Sequence, residues 1–246
     1  MKNVPQFGVG FMIHNSIMDS IEDFSSTSPR TAMLTIKIGN KIYTLVNVYA
    51  PTNDKNVKDR EQVDKFWEEL DQLIPNIPDT HIKILLGDFN AKIGRERRCR
   101  TVVGKWPAHK LTNKNGQRLI ELCIDHGLIL ETTRFKRQPH KLMTWKCPNI
   151  KLGEFQIDHV AMDKNYHKEI YNVKVLRGVD IDSDHYISKI KIKISPRRKQ
   201  KPSQSRKKRT YDPCYLINNK EYLERSKTPL SDGLGTIINK LKATAE

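Results

Sequence analysis

Apolar positions cluster first in "GVGFMIH" (Gly8–His14), "AMLTIKI" (Ala32–Ile38) and "KIYTLVNVYAP" (Lys41–Pro51). These runs are rich in Ile, Val, Thr and Tyr and predict strands. Gly39-Asn40 between the second and third predicts a two-residue hairpin turn. From Asn56 to Ile74 the residues Val57, Val63, Phe66, Trp67, Leu70, Leu73 and Ile74 recur at helical spacing, and Pro75 and Pro78 stop the helix. "IKILL" (Ile82–Leu86) reads as a buried strand and "NGQRLIELCIDHG" (Asn115–Gly127) as a second helix ending at Gly127. Short strands are expected around Leu128–Glu131, Leu142–Trp145, Phe155–Asp163, Glu169–Leu176 and His185–Ile194. The last alternates apolar and charged residues, as a half-buried strand does. Many strands with few helices between them predict stacked sheets covered by helices, not a βαβ repeat.

Past Ile194 the pattern changes. "SPRRKQKPSQSRKKRTYDP" has too little apolar surface to pack, so 195–210 reads as a basic disordered linker, and 211–246 as a helical tail. Its run of Arg and Lys fits a nuclear-import signal, a phosphate-binding arm or a plain linker. The whole chain of 246 residues has 44 basic and 28 acidic residues, a formal charge of +16. That excess points to a polyanionic partner, nucleic acid or an anionic membrane surface. No run of apolar residues is long enough to span a membrane, and the start lacks an apolar signal core. Cys99, Cys123, Cys147 and Cys214 are far apart, with neither a zinc spacing nor a disulfide framework. They read as reduced thiols of a soluble intracellular protein, nuclear or cytoplasmic.

Three short polar groups stand at strand ends: "NVYAPTN" from Asn47, "GDFN" (Gly87–Asn90), and "SDH" (Ser183–His185) with "QIDH" (Gln156–His159) upstream. Singly, each has an ordinary reading: a Tyr in a core, an Asp-Phe-Asn turn closed by Asx hydrogen bonds, a solvated surface His. Collected at one sheet edge, carboxylates, a carboxamide, a phenol and a histidine suit phosphodiester hydrolysis. That reaction needs a water aimed and deprotonated and the phosphorane charge stabilised.

In this order the motifs resemble the endonuclease/exonuclease/phosphatase family with the DNase I-like fold. "KNGQRLIELCIDHGLILETTRF", "HKLMTWKCPN" and "QIDHVAMDK" look like the endonuclease module of RTE-type non-LTR retrotransposons. The resemblance covers residues 8–194 and implies a four-layer α/β sandwich of two stacked mixed sheets flanked by helices. It implies that Asp88 activates the attacking water, that Asn90 holds the phosphate or that water, and that Tyr49 donates to the phosphate. His185 would bind a phosphate oxygen with Asp158 fixing its tautomer, and Asp184 would help ligate Mg2+ or Mn2+. Thr144 and Trp145 match the family's Thr-Trp beside the substrate groove, though Trp145 equally suits a core. In "GRERRCR", Arg95, Arg97, Arg98 and Arg100 would contact DNA phosphates, or form a solvated loop.

The family opens with a strand carrying an Asn and a second carrying a metal-binding Glu. Here the match begins past both; Asn3 lies in no strand pattern, and no acidic residue precedes Asp19. The expectation is a domain whose first strands are missing, with Asp184 as the main carboxylate for the metal. The favoured function is therefore Mg2+-dependent DNA hydrolysis by a monomer, impaired, without a small-molecule cofactor. The alternatives are a non-catalytic basic nucleic-acid-binding module, an inert retroelement remnant, or a phosphoesterase acting on a small molecule or lipid headgroup.

Overall fold

The computed structural model describes residues 8–52, 57–96, 100–179 and 182–194. The segments 195–210 and 211–246, and Asn3, lie outside these residues. Strands β1 (Ile21–Ser28), β2 (Thr31–Ile38) and β3 (Lys41–Tyr49) form an antiparallel meander. Gly39, at φ 65°, makes the tight turn between β2 and β3. Helix α1 (Val57–Leu73) then crosses over to β4 (His81–Asp88), which pairs parallel to β3. After helix α2 (Lys114–Asp125) come β5 (Leu128–Leu130), β6 (Trp145–Lys146), β7 (Glu154–Phe155), β8 (Asp158–Asp163), β9 (Ile170–Leu176) and β10 (Ile187–Ile192). The main sheet has six strands in the order β1-β2-β3-β4-β8-β5, while β9 and β10 pair antiparallel, as do β6 and β7.

The alternation within β3, β4 and β8 sorts their side chains between two cores. Val46, Val48, Leu85 and Ala161 face α1 and α2, meeting Val63, Phe66, Leu70, Leu119 and Leu122. Tyr43, Ile82, Ile84, Val160 and Met162 face the other way, against Ile170 and Val173 of β9 and Ile190 and Ile192 of β10. The expected α/β sandwich is present: helices, a mixed sheet, and a second sheet. Among the described residues the second sheet is the antiparallel β9–β10 pair, and both α-helices pack on the opposite side of the main sheet. None of the described helices is long and apolar enough to cross a membrane. Cys123 and Cys147 are unpaired and buried, while Cys99 and Cys214 lie outside the described residues.

Two local expectations are corrected. Gly8–His14 is not a strand; it runs as an irregular segment into a 3-10 turn at Asn15–Ser20, tethered where the Asn47 side chain donates to Gly10 O (2.9 Å). Two glycines and a solvent-exposed Met12 leave it no face to bury. Conversely, β1 has the polar sequence IEDFSSTS and no strand-like pattern. It is an edge strand, largely exposed and bulged at both ends, so main-chain pairing with β2 rather than burial defines it.

One buried amide joins the helices to the ends of β3 and β4. Asn115 is fully buried; its Oδ1 accepts from Trp67 Nε1 (3.2 Å) and its Nδ2 donates to Pro51 O (2.9 Å) and Phe89 O (3.2 Å). Asn115→Leu would keep the volume and strand three buried polar groups without partners, at about 1–3 kcal/mol each before relaxation. The expected result in thermal unfolding is a loss of roughly 5–15 °C in Tm; a Tm within about 2 °C of wild type would contradict this role.

Candidate active site

Register places the first three groups. Tyr49 pairs with Asp88, and Asp88 pairs with Asp158, so the last residues of β3 and β4 and the first of β8 form one row across adjacent strands. By the same alternation that sorts the cores, all three side chains lie on the face that carries β9 and β10. The fourth comes from the segment before β10. A single β-bridge joins Trp145 to His185, with Lys146 N–H donating to Asp184 O (2.8 Å) and Tyr186 N–H to Thr144 O (2.7 Å). His185 Nδ1 thereby lies 3.1 and 3.2 Å from the two Asp158 carboxylate oxygens, and its Nε2 lies 4.0 Å from Asp88 Oδ2. Asp88, Asp158 and His185 keep 15, 22 and 30 % of their side chains exposed, sheltered yet open to a ligand.

The turn reading of "GDFN" holds. The Asn90 N–H donates to Asp88 Oδ1 (2.8 Å), an Asx turn, with Asn90 at φ 48°. Asn90 Nδ2 donates to Ala50 O (2.8 Å) and reaches Asp88 Oδ2 (3.4 Å), so the carboxamide orients the carboxylate. Gly87 sits at φ 132°, and a Cβ there would come within 2.1 Å of Val48 O; only glycine fits beside β3. Phe89, between the two polar residues, is fully buried in the helical core.

The braces of this turn were not expected from the sequence. Asn113 caps α2, its Oδ1 accepting from Gly116 N (2.8 Å) and Lys92 N (2.9 Å), while its Nδ2 donates to Asn90 O (3.0 Å). His159 is buried beside Asp158, and burial lowers its pKa to about 4, so it is neutral. Its Nε2–H donates to Ala91 O (2.8 Å), which leaves Nδ1 to accept from Thr132 Oγ1 (2.8 Å). Asparagines directly before an apolar helical run are the one sequence signal for the first brace.

Thr144, expected at the nucleic-acid surface, is corrected. It is 1 % exposed, and its hydroxyl oxygen accepts from Ile157 N (3.0 Å) and Asp158 N (3.1 Å), fixing the start of β8. Trp145 is half-buried, stacked on Phe155 at 6.0 Å between ring centroids, and its Nε1–H donates to Asp184 Oδ2 (2.7 Å). Lys92 Nζ lies 3.3 Å from the Phe155 ring centroid on the same ridge. Arg95 and Arg100 are exposed, and Arg95 Nε donates to Pro107 O (3.1 Å); Arg97 and Arg98 lie outside the described residues. A clamp holds the 184–186 segment. Arg177 bonds both Glu154 oxygens (2.7 and 2.6 Å), and Tyr186 OH donates to Glu154 Oε1 (2.8 Å).

Electrostatics follow from the crowding. Burial, then the Asp158 charge, raise Asp88 to about 7, against the opposing Asn90 N–H and the His185 charge. His185 is raised above its ordinary value, chiefly by its hydrogen bond to Asp158. Among the described residues no three His, Cys, Asp or Glu side chains are grouped to hold a metal ion. What remains at the cluster is Asp184, exposed, with one oxygen engaged by Trp145. Mg2+ is commonly held by one or two carboxylates, several waters and substrate phosphate. The donor set fits an ion that arrives with substrate, not a closed site.

No protein-family profile matches the chain. It is 26 % identical over 196 residues to Craniofacial development protein 2 of Bos taurus, an alignment covering 77 % of this chain and 32 % of the relative. The chain thus spans about a third of the length of the curated relatives it matches. Its fold is shared with a 3'-5' exonuclease, NExo, from Neisseria meningitidis (TM-score 0.54, 16 % identity, 70 % of this chain and 71 % of that one). The same enzyme, described as a 3' phosphatase bound to a product DNA hairpin, superposes with a TM-score of 0.52 at 16 % identity, again over 70 % and 71 %. The endonuclease domain of TRAS1, a telomere-specific non-LTR retrotransposon, superposes with a TM-score of 0.51 at 15 % identity, over 70 % of this chain and 69 % of that domain.

Asp88 titrates near 3.9 when unfolded and near 7 when folded. Between those values folding takes up a proton, so its favourable contribution is complete below about pH 4 and is lost as pH rises through about 7. Asp88→Asn therefore matches wild type in Tm near pH 4 and exceeds it by roughly 5 °C at pH 8. Equal stability of the two proteins at both pH values would contradict the raised pKa of the buried Asp88.

Proposed function

We propose that this chain is a member of the DNase I-like endonuclease/exonuclease/phosphatase family, whose fold it shares, and that it hydrolyses phosphodiester bonds in DNA as a retrotransposon-type endonuclease. One observation carries the reading: Tyr49, Asp88 and Asp158 share a row, and His185 reaches both carboxylates. The net charge of +16 suits a polyanionic substrate.

The geometry supports these roles for its residues. A base works best when its pKa lies near the working pH, and Asp88 lies at about 7. Once ionised and aligned by Asn90, it takes a proton from a water whose oxygen bonds to phosphorus. The bond from phosphorus to the leaving oxygen then breaks, and that oxygen is protonated from solvent. His185, whose protonated form Asp158 favours, offers its Nε2–H to a phosphate oxygen, with the Tyr49 hydroxyl as a second donor on the same face. Mg2+ or Mn2+ bound at Asp184 would supply charge neutralisation on the phosphate. Asp184 alone would hold such an ion weakly.

A second reading, nucleic-acid binding without cleavage, is favoured by the Trp145 hydrogen bond that occupies Asp184. Nicking of supercoiled DNA with Mg2+ separates the two. The expected result is slow nicking, reduced roughly 10²–10⁴-fold in Asp88→Ala and in His185→Ala. Its rate should rise with pH through about 7 as Asp88 ionises and fall once His185 loses its proton. Cleavage unaffected by either substitution would overturn the assignment; tight, salt-sensitive binding without any nicking would favour the second reading.

A further inference from the structure

A second basic locus lies outside the cluster. Trp106, half-buried, has two ammonium groups against its ring: Lys105 Nζ at 5.3 Å and Lys136 Nζ at 5.2 Å from the centroid. The two lysines are 31 positions apart in sequence, both exposed, and among the described residues neither is paired with a carboxylate. Like charges gathered on one indole repel each other, and cation–π attraction offsets only part of that. A polyanion contacting both would offset the repulsion.

The loops that carry them are fixed. Gly104 N–H donates to Thr133 Oγ1 (2.7 Å) and Trp106 N–H to Thr133 O (2.8 Å). A Cβ at Gly104 would come within 2.5 Å of Thr133 O, so the two loops touch through their backbones. Thr132, the preceding residue, bonds His159, which adjoins Asp158. The pair of lysines is thus tied by short rigid links to the carboxylate row.

The geometry points to Lys105 and Lys136, backed by Trp106, as a contact for the phosphate backbone of DNA bound at the carboxylate row. This rests on the nucleic-acid part of the reading above and not on catalysis. A phosphodiester backbone suits the locus better than an isolated anion, because two separated point charges on exposed stems track successive phosphates and select no planar group.

The test uses the full chain with a labelled DNA duplex in EDTA, where no metal-dependent cleavage occurs. Affinity is measured across a salt series for wild type and the Lys105→Gln/Lys136→Gln double variant. The slope of log K against log salt should fall by about one per lysine removed, uniformly across duplex sequences. In wild type, the duplex should also protect Lys105 and Lys136 from an amine-acylating reagent while Lys37, at the far end of β2, stays reactive. An unchanged slope, or labelling of Lys105 and Lys136 undiminished by DNA, overturns the proposal, as does binding to anionic vesicles but not to DNA. Protection together with absent nicking sinks only the catalytic reading; nicking without protection sinks only this one.

Discussion

Residues directly opposite on paired strands have Cβ atoms about 4.5–5.5 Å apart, and like charges placed there repel. In β4 and β8 the residues so placed are Asp88 and Asp158. The main-chain ladder imposes this, since moving either strand by one residue would turn its whole apolar set away from its core. A proton on Asp88 or a neighbouring cation relieves the repulsion without breaking the register, and His185 stands within reach of both carboxylates. Burial and the Asp158 charge raise Asp88, and the His185 charge opposes that rise.

The surrounding structure keeps that interaction from relaxing. Gly87 lets β4 approach β3 closely enough to end in a sharp turn, and Asn90, Asn113 and Asn115 tie the turn to Ala50, α2 and α1. On the other side Thr144 pins the first residues of β8, while the Arg177–Glu154–Tyr186 clamp holds the segment that delivers His185. These groups fix where the carboxylates and the imidazole stand.

The helices, the β2–β3 hairpin and the strands of the main core are legible in the sequence because burial writes a period into them. Asp88, Asp158 and His185 are legible for a related reason: each interrupts or borders an apolar run, where a charge has no packing role. Burial writes nothing into β1, whose exposed residues are fixed by main-chain pairing alone. "GVGFMIH" shows the converse, apolar residues without a sheet to join. Thr144 and Asn115 fall between these cases. Their work is done by side-chain hydrogen bonds to backbone groups distant in sequence, which no local pattern encodes.

The central claim is the ion pair between Asp158 and His185 at the end of the Asp88 strand. NMR titration of the His185 ring in wild type and in Asp158→Asn tests it without reference to activity. His185 should titrate above the ordinary histidine value, and its pKa should fall when Asp158 loses its charge. An unshifted His185 that ignores the substitution would contradict it, and the row of carboxylates would then have no cation to hold it together.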